Sequence, residues 1–213
     1  MKTINLLLLI FLGLTLNACS TAYYGTMEKV GIQKRDILVS RVQDSVDAQN
    51  DAKEVFVSAL DRFNEVVDYD GGDLEKMYKS LSKDLEKSQD KADEVNHRIE
   101  KVEQVADDLF KEWKKELKDY DSADLRRSSA EQLKKTEART DDLIATMKKT
   151  AATMDPVLTR FNDQVLYLKH NLNAQALAGI RGEAKKVEND VSALIASMEK
   201  SIAEAEAFIR DMQ

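Results

Sequence analysis

An apolar seam with coiled-coil spacing runs from Leu74 to Tyr120. Its positions are separated alternately by four and three residues almost to its end, and the positions between them are largely Lys, Glu and Asp. This pattern predicts one helix, about 70 Å long, that is apolar along a single narrow stripe. Because such a helix cannot bury its stripe alone, we expect the rest of the chain to supply partner helices. The seam consists of Leu74, Tyr78, Leu81, Leu85, Ser88, Ala92, Val95, Ile99, Val102, Ala106, Leu109, Trp113, Leu117 and Tyr120.

Three further stretches repeat this spacing, and together they predict three more long helices. In the first of them Ser45 and Gln49 are polar, and we expect these two residues to set the register of helix pairing rather than to form a site. The seams are Leu38, Val42, Ser45, Gln49, Ala52, Phe56, Ala59, Phe63 and Val66; Leu133, Thr136, Thr140, Leu143, Met147, Thr150, Met154, Val157, Phe161, Val165, Leu168 and Leu172; and Ala176, Ile180, Ala184, Val187, Val191, Leu194, Met198, Ile202, Ala205 and Ile209.

Turn and capping residues separate the seams. Asp70-Gly-Gly-Asp73 predicts a tight turn, because glycine tolerates the left-handed conformation at a helix end and Asp73 is a good N-cap for the Leu74 helix. Asp121, Ser122 and Asp124 predict the second turn.

The third seam keeps its phase through Pro156, so we predict one helix with a kink at this residue rather than two helices. The end of that helix is ambiguous. Residues 169–173 are the better candidate for a turn, because Asn171 can adopt the left-handed conformation and Asn173 can cap the next helix. The alternative is a turn at Gly182.

We therefore predict an all-α fold, an elongated antiparallel four-helix bundle or coiled coil of long helices that occupies residues 27–213. The helices are expected at about 27–69, 74–120, 123–170 and 174–211. The composition agrees, since the chain has one proline and is 33% charged. Short links make successive helices antiparallel, so the second turn and the C-terminus should lie at the end where the first helix begins.

The first 18 residues resemble a bacterial lipoprotein signal peptide. Residues 4–16 are an apolar run, preceded by Lys2, that is too short to span a bilayer comfortably. Leu16-Asn-Ala-Cys19 resembles the lipobox, which implies that Cys19 is lipidated and becomes the first residue of the mature chain. The alternative is an ordinary cleaved signal that leaves Cys19, the one cysteine of the chain, as a free thiol.

Residues 19–26 are predicted to form a lipidated tether. Two or more acyl chains, including a palmitate-like group on the new amine, would make the anchoring stable. By resemblance to the sorting rule of Gram-negative lipoproteins, Ser20 implies the outer membrane, with the bundle facing the periplasm. Tyr23 and Tyr24 are expected either at the headgroups or packed on the bundle base.

Several functional classes are disfavoured by the sequence. A net charge of −7 argues against binding of nucleic acid, and the chain has neither a phosphate-binding P-loop nor a G-x-S-x-G nucleophile motif. We expect the aromatic seam residues Tyr78, Trp113 and Tyr120 to belong to the core. The sequence therefore predicts no catalytic residue and no cofactor.

Two patterns are typical of metal sites but incomplete. Glu94 and His97 have the spacing of a helical di-iron motif, but a second copy is missing and His97 lies opposite the seam. Asp68, Asp70 and Asp73 match a calcium loop only in part, because Lys79 stands where the closing glutamate belongs; helix-end capping is the expected role.

Taken together, the chain resembles a family of short proteobacterial lipoproteins, the domain of unknown function 2959 family. The resemblance spans nearly all of the mature chain and implies no activity, because the family has none assigned. The segments that carry it are residues 27–39, 70–74, 125–128, 154–157 and 167–174.

We expect a lipid-anchored structural or interaction protein of the cell envelope, not an enzyme, that meets the membrane through its anchor and a protein partner or a second copy through its seams. The alternative is a small-ligand or metal-binding module near the acidic first turn or His170. Arg126 and Arg127 are hypothesised to contact lipid headgroups, the alternative being a solvated pair.

Overall fold

The computed structural model describes residues 33–69, 71, 73–171 and 174–213, with the side chains of residues 174–176 left undescribed. The predicted signal peptide (1–18), Cys19 with its tether (19–26) and the start of the first helix lie outside the described residues. So do Asp70, Gly72, Asn173 and the predicted seam residue Leu172.

The described chain is helical throughout, apart from its links, and the prediction of an all-α bundle is confirmed. No helix among the described residues is long and apolar enough to cross a membrane. The helices are α1 (Lys34–Val67), α2 (Leu74–Glu116), a single 3₁₀ turn (Leu117–Asp119), α3 (Ala123–Ala151), α4 (Met154–His170) and α5 (Ala174–Met212).

The structure differs from the prediction in the third helix, which is interrupted at Ala152 and Thr153 instead of being continuous and kinked at Pro156. A proline within a helix clashes with the carbonyl group four residues earlier, here that of Ala152, and cannot donate a hydrogen bond. In the first turn of α4, Pro156 needs no such bond. The backbone N–H and the hydroxyl of Thr153 both donate to the carbonyl of Thr150, at 3.0 and 2.6 Å, and close the interruption.

The next link follows His170, so the alternative turn at Gly182 is wrong. Asn171 ends α4 with φ −140°, and not in the left-handed conformation that we expected. Its side-chain amide donates to the carbonyl of Tyr167 at 3.1 Å, which satisfies a carbonyl group of the last turn. Gly182 lies inside α5.

Four rods form a closed ring. α1 packs against α2 and α5, and each of these also packs against α3 and α4, which together form the fourth rod. α1 therefore lies diagonally opposite α3 and α4. Ion pairs between neighbouring rods show that they run antiparallel, because the residue number falls on one rod as it rises on the next. These pairs include Lys34–Glu112 at 2.6 Å, Arg62–Asp84 at 3.4 Å, Lys148–Glu103 at 2.5 Å, Arg160–Asp190 at 2.5 Å and Lys53–Glu199 at 3.7 Å.

The core runs along the predicted seams. Every seam residue predicted for α1 is buried, as are most of those on the other helices. The core is also wider than the seams, since a helix in a bundle buries about three positions in seven rather than two. Buried residues outside the predicted seams are Ile37, Val46, Ala48, Asp84, Val105, Phe110, Ser129, Ile144, Ala151, Leu158, Leu177, Ser201 and Phe208.

Candidate interaction surfaces

One end of the bundle, which we call the proximal end, contains the start of α1, the link from α2 to α3 and the C-terminus of α5. Lys34 at the start of α1 contacts Glu112 near the end of α2. The indole N–H of Trp113 donates to the Ser129 hydroxyl at 2.8 Å, which ties the end of α2 to α3. The opposite, distal end contains the links after α1 and α4.

Arg126 and Arg127 lie at the proximal end, in the first turns of α3. The Arg126 guanidinium donates to the carbonyl of Tyr120 at 2.6 Å, and Arg127 pairs with Asp124. Both cations therefore have partners within the chain. The neighbouring Leu125 leaves 60% of its surface exposed, the highest exposure among the large exposed apolar residues of the described chain.

The predicted core aromatics are at the margins of the core. Tyr78 and Trp113 are partly buried and pack against it. Tyr120 is also half-buried, just beyond the 3₁₀ turn. Tyr78 lies near the beginning of the α2 seam, and Trp113 and Tyr120 lie near its end.

The two histidines are not brought together. His97 lies near the middle of α2 with 60% of its side chain exposed, and its closest acidic partner is Glu100 at 4.0 Å. His170 is the exposed last residue of α4. Within the described residues no group of three or more His, Cys, Asp or Glu has an arrangement that could hold a metal ion.

The Glu94 carboxylate is engaged by two cations rather than directed to a metal site. Lys91 and Arg98 donate to it at 2.9 and 3.3 Å, and these hydrogen bonds, led by that of Lys91, hold the pKa of Glu94 below its ordinary value of 4.5. Lys91 also donates to Asp51 of α1 at 2.9 Å. Glu94 thus belongs to an ion-pair network that joins α1 to α2.

The acidic first turn serves helix ends. The Asp73 carboxylate accepts a hydrogen bond from the backbone N–H of Lys76 at 3.0 Å, as predicted for an N-cap. Gly71 has a positive φ of 150°, which favours glycine. Arg181 of α5 donates to the carbonyl groups of Val67 and Tyr69 at 2.7 and 3.1 Å. A guanidinium therefore binds two carbonyl groups at and just beyond the end of α1.

A groove of 570 Å³ lies between α2 and α4, and we call it the α2–α4 groove. Each wall is one stripe of a helix with residues at i, i+3, i+4 and i+7. Among the described residues that line the groove, two leucines are the only apolar ones. Sequence reasoning missed this surface, because most of its residues resemble an ordinary solvated face. The lining residues are Ser82, Leu85, Glu86 and Gln89 on α2 and Asp155, Leu158, Thr159 and Asn162 on α4.

A smaller groove of 240 Å³ lies between α3 and α5 near the proximal end. The Arg139 guanidinium stands over the Phe208 ring, 5.9 Å from its centroid, and also pairs with Asp211. These contacts link the end of α5 to α3.

Comparison with known proteins gives one match. The model of a family described as "Protein of unknown function (DUF2959)" matches residues 23–212. No curated protein and no solved structure matches the chain.

Proposed function

The chain belongs to the DUF2959 family of proteins of unknown function, and we propose that it is a lipid-anchored helical bundle with a structural or protein-interaction role, and no catalytic one, in the bacterial cell envelope. In this proposal Cys19 carries the lipid, the outer membrane is the site of anchoring, and the bundle faces the periplasm. The family itself supplies no activity that could replace this role.

The observation that carries the proposal is the position of the first described residue at one end of a long closed bundle. Cys19 precedes Gln33 by fourteen residues, which span about 50 Å at most when fully extended. A lipid on Cys19 would therefore keep the proximal end near the bilayer. The 43 residues of α2 give the bundle a length of about 65 Å, so its sides and distal end would extend into the periplasm.

The proximal end has features that suit a nearby membrane surface. Leu125 is exposed beside Arg126 and Arg127, and one aliphatic and two basic side chains can enter the headgroup region together. This contact would supplement the lipid anchor, because two or three acyl chains already give stable binding.

Substitution of the anchor tests the proposal. We expect the wild-type protein to remain in the membrane pellet after a high-salt wash and its first mature peptide to carry the mass of a lipidated Cys19. A variant that combines Cys19→Ser with replacement of residues 1–18 by an ordinary cleaved signal peptide should appear in the soluble periplasmic fraction. The signal is replaced because a lipobox is cleaved at its lipidated cysteine, so Cys19→Ser alone would keep the apolar segment at residues 4–16. The matched variant Asn17→Ala, which keeps the cysteine and brings the lipobox closer to the usual pattern, should stay in the pellet. Recovery of the Cys19→Ser variant with the replaced signal in the pellet would contradict the anchor.

The interaction role needs a separate measurement. Crosslinking in intact cells, followed by identification of the crosslinked peptides, should give a defined partner or a second copy of this chain. Static light scattering on the purified protein distinguishes a self-associated form from a monomer. A monomer that is never crosslinked to a protein in the cell would contradict an interaction role while leaving the anchor intact.

A further inference from the structure

We propose that the α2–α4 groove binds a basic amphipathic helix of a partner protein, an inference that rests on the proposed interaction role and specifies its surface. The partner helix would place aliphatic side chains on Leu85 and Leu158 and its Lys or Arg side chains near Glu86 and Asp155.

The shape of the groove fits a helix. Its two walls are antiparallel helical stripes, each with the i, i+3, i+4 and i+7 spacing by which one helix packs on another. The lining residues on each wall cover about 10 Å, or two helical turns. A third helix can therefore pack between these two stripes in the same way as the helices of the bundle pack on one another.

The apolar part of the surface continues beyond the groove. Leu166 follows Asn162 by four residues on α4 and so lies one turn further along the same stripe. It leaves 50% of its surface exposed. Leu85 and Leu158 then offer aliphatic contacts within the groove, and Leu166 offers one about two turns further along α4 than Leu158.

The negative charge of the groove favours a basic partner helix. Glu86 and Asp155 line it, and none of its eight lining residues is a cation. Two neighbouring cations are engaged elsewhere, since Lys87 pairs with Asp84 and Arg160 pairs with Asp190. A second copy docked groove to groove would bring like charges together, which is unfavourable.

A designed peptide provides the probe. It is a fluorescent, Ala-based helix of about 15 residues with Leu at the i, i+4, i+7 and i+11 positions and Lys on both sides of that stripe. Its matched peptide has Glu in place of each Lys. Binding is measured by anisotropy against the full-length protein in phosphatidylcholine nanodiscs, with empty nanodiscs subtracted. A benzophenone on the probe reports the site of contact.

Two charge-reversed proteins separate the groove from overall charge. Glu86→Lys combined with Asp155→Lys changes the groove. Glu54→Lys combined with Asp61→Lys makes the same change in net charge on an exposed face of α1, which lies diagonally opposite α4. We expect the groove variant to weaken binding by about tenfold or more and the α1 variant by about threefold or less.

The expected crosslinks lie on α2 and α4, and the Glu peptide should bind about tenfold more weakly than the Lys peptide. Equal weakening by both protein variants, equal binding of the two peptides, crosslinks elsewhere or no binding would each overturn the proposal. If circular dichroism shows that the groove variant is unfolded, Thr159→Trp, which fills the groove from an exposed position, should block the probe instead. Because only protein that has entered the nanodiscs is assayed, failure of that protein to bind the peptide is distinct from failure of the lipid anchor.

Discussion

Phe63 of α1 and Phe161 of α4 meet edge to face across the diagonal of the bundle, with ring centroids 5.8 Å apart and ring planes at 86°. Both side chains are almost completely buried, at 0% and 1% exposure. Since α1 and the α3–α4 rod are not neighbours in the ring, this pair joins the two rods through the centre of the core. It also lies beyond the interruption at Ala152 and Thr153, and so it helps to hold α4 in place.

The variant Phe161→Ala should lower the free energy of unfolding by about 3–5 kcal/mol, because it removes a buried ring and leaves a cavity. Phe161→Leu should lower it by less, since most of the volume remains. Urea unfolding followed by circular dichroism measures both values. A double-mutant cycle with Phe63→Leu should give a coupling of about 0.5–1.5 kcal/mol. A loss below about 1 kcal/mol for the alanine variant would show that the rings do not meet in the core.

Arg181→Ala should destabilise the C-terminal end of α1 at the distal end of the bundle. α1 has no basic residue in its last turn, and the Arg181 guanidinium supplies the positive group at this helix C-terminus from α5. We expect a loss of about 1 kcal/mol and faster hydrogen exchange at the amides of Asp68 and Tyr69. The control Lys185→Ala, one turn further along α5, removes only an exposed pair with Glu188 and should leave this exchange unchanged.

Ser201→Ala should leave the protein as stable or raise its free energy of unfolding by about 1 kcal/mol. The hydroxyl of Ser201 is fully buried and has no hydrogen-bond partner among the described residues. Ser88 provides the matched control, since it is equally buried but donates to the carbonyl of Asp84 at 2.8 Å. Thermal and urea unfolding should therefore rank Ser201→Ala above Ser88→Ala. The reverse order would contradict the burial of an unpaired hydroxyl.

The free energy of unfolding should fall at acidic pH, in part because Glu94 becomes protonated and loses its ion pairs. Because the folded-state pKa of Glu94 is lowered from 4.5, its ion pairs stabilise the fold fully above that value. The contribution is lost as the pH falls below 4.5 and through the lower folded-state pKa. The free energy of unfolding of Glu94→Gln should fall less steeply with decreasing pH than that of the wild type. The difference should stay under about 1 kcal/mol, because the Glu94 side chain is about one-third exposed. Urea midpoints at several pH values measure the slope, and Glu100→Gln, whose side chain is 73% exposed, should keep the wild-type slope.

The long helices and most of the core could be predicted because their signal is local. The spacing of Leu38, Phe56 and Phe63 along α1 places them on one stripe, and all three are buried. Asp73 could be predicted as an N-cap for the same reason, since a cap depends on residues three positions away. The buried Phe110 and Phe208 lie outside the predicted seams, because a two-position seam is narrower than the face that a four-rod bundle buries.

The α2–α4 groove could not be predicted in this way. Leu85 was expected in the core and is half-buried in the wall of the groove, whereas Leu158 was not assigned to a seam and is buried beneath it. Glu86 and Asp155 are ordinary solvated residues when each helix is considered alone. Their proximity depends on how far apart α2 and α4 stand, which no single helix specifies.

The amino-acid sequence by itself determined that the described chain is helical, where most helices begin and end, and which stripe of each helix is apolar, because these properties depend on residues within a few turns of one another. Only the tertiary structure decided the diagonal contact of Phe63 with Phe161, the capping of α1 by Arg181 and the groove between α2 and α4. Each of these requires residues far apart in the chain to be close in space, and that distance is set by the packing of all the rods together.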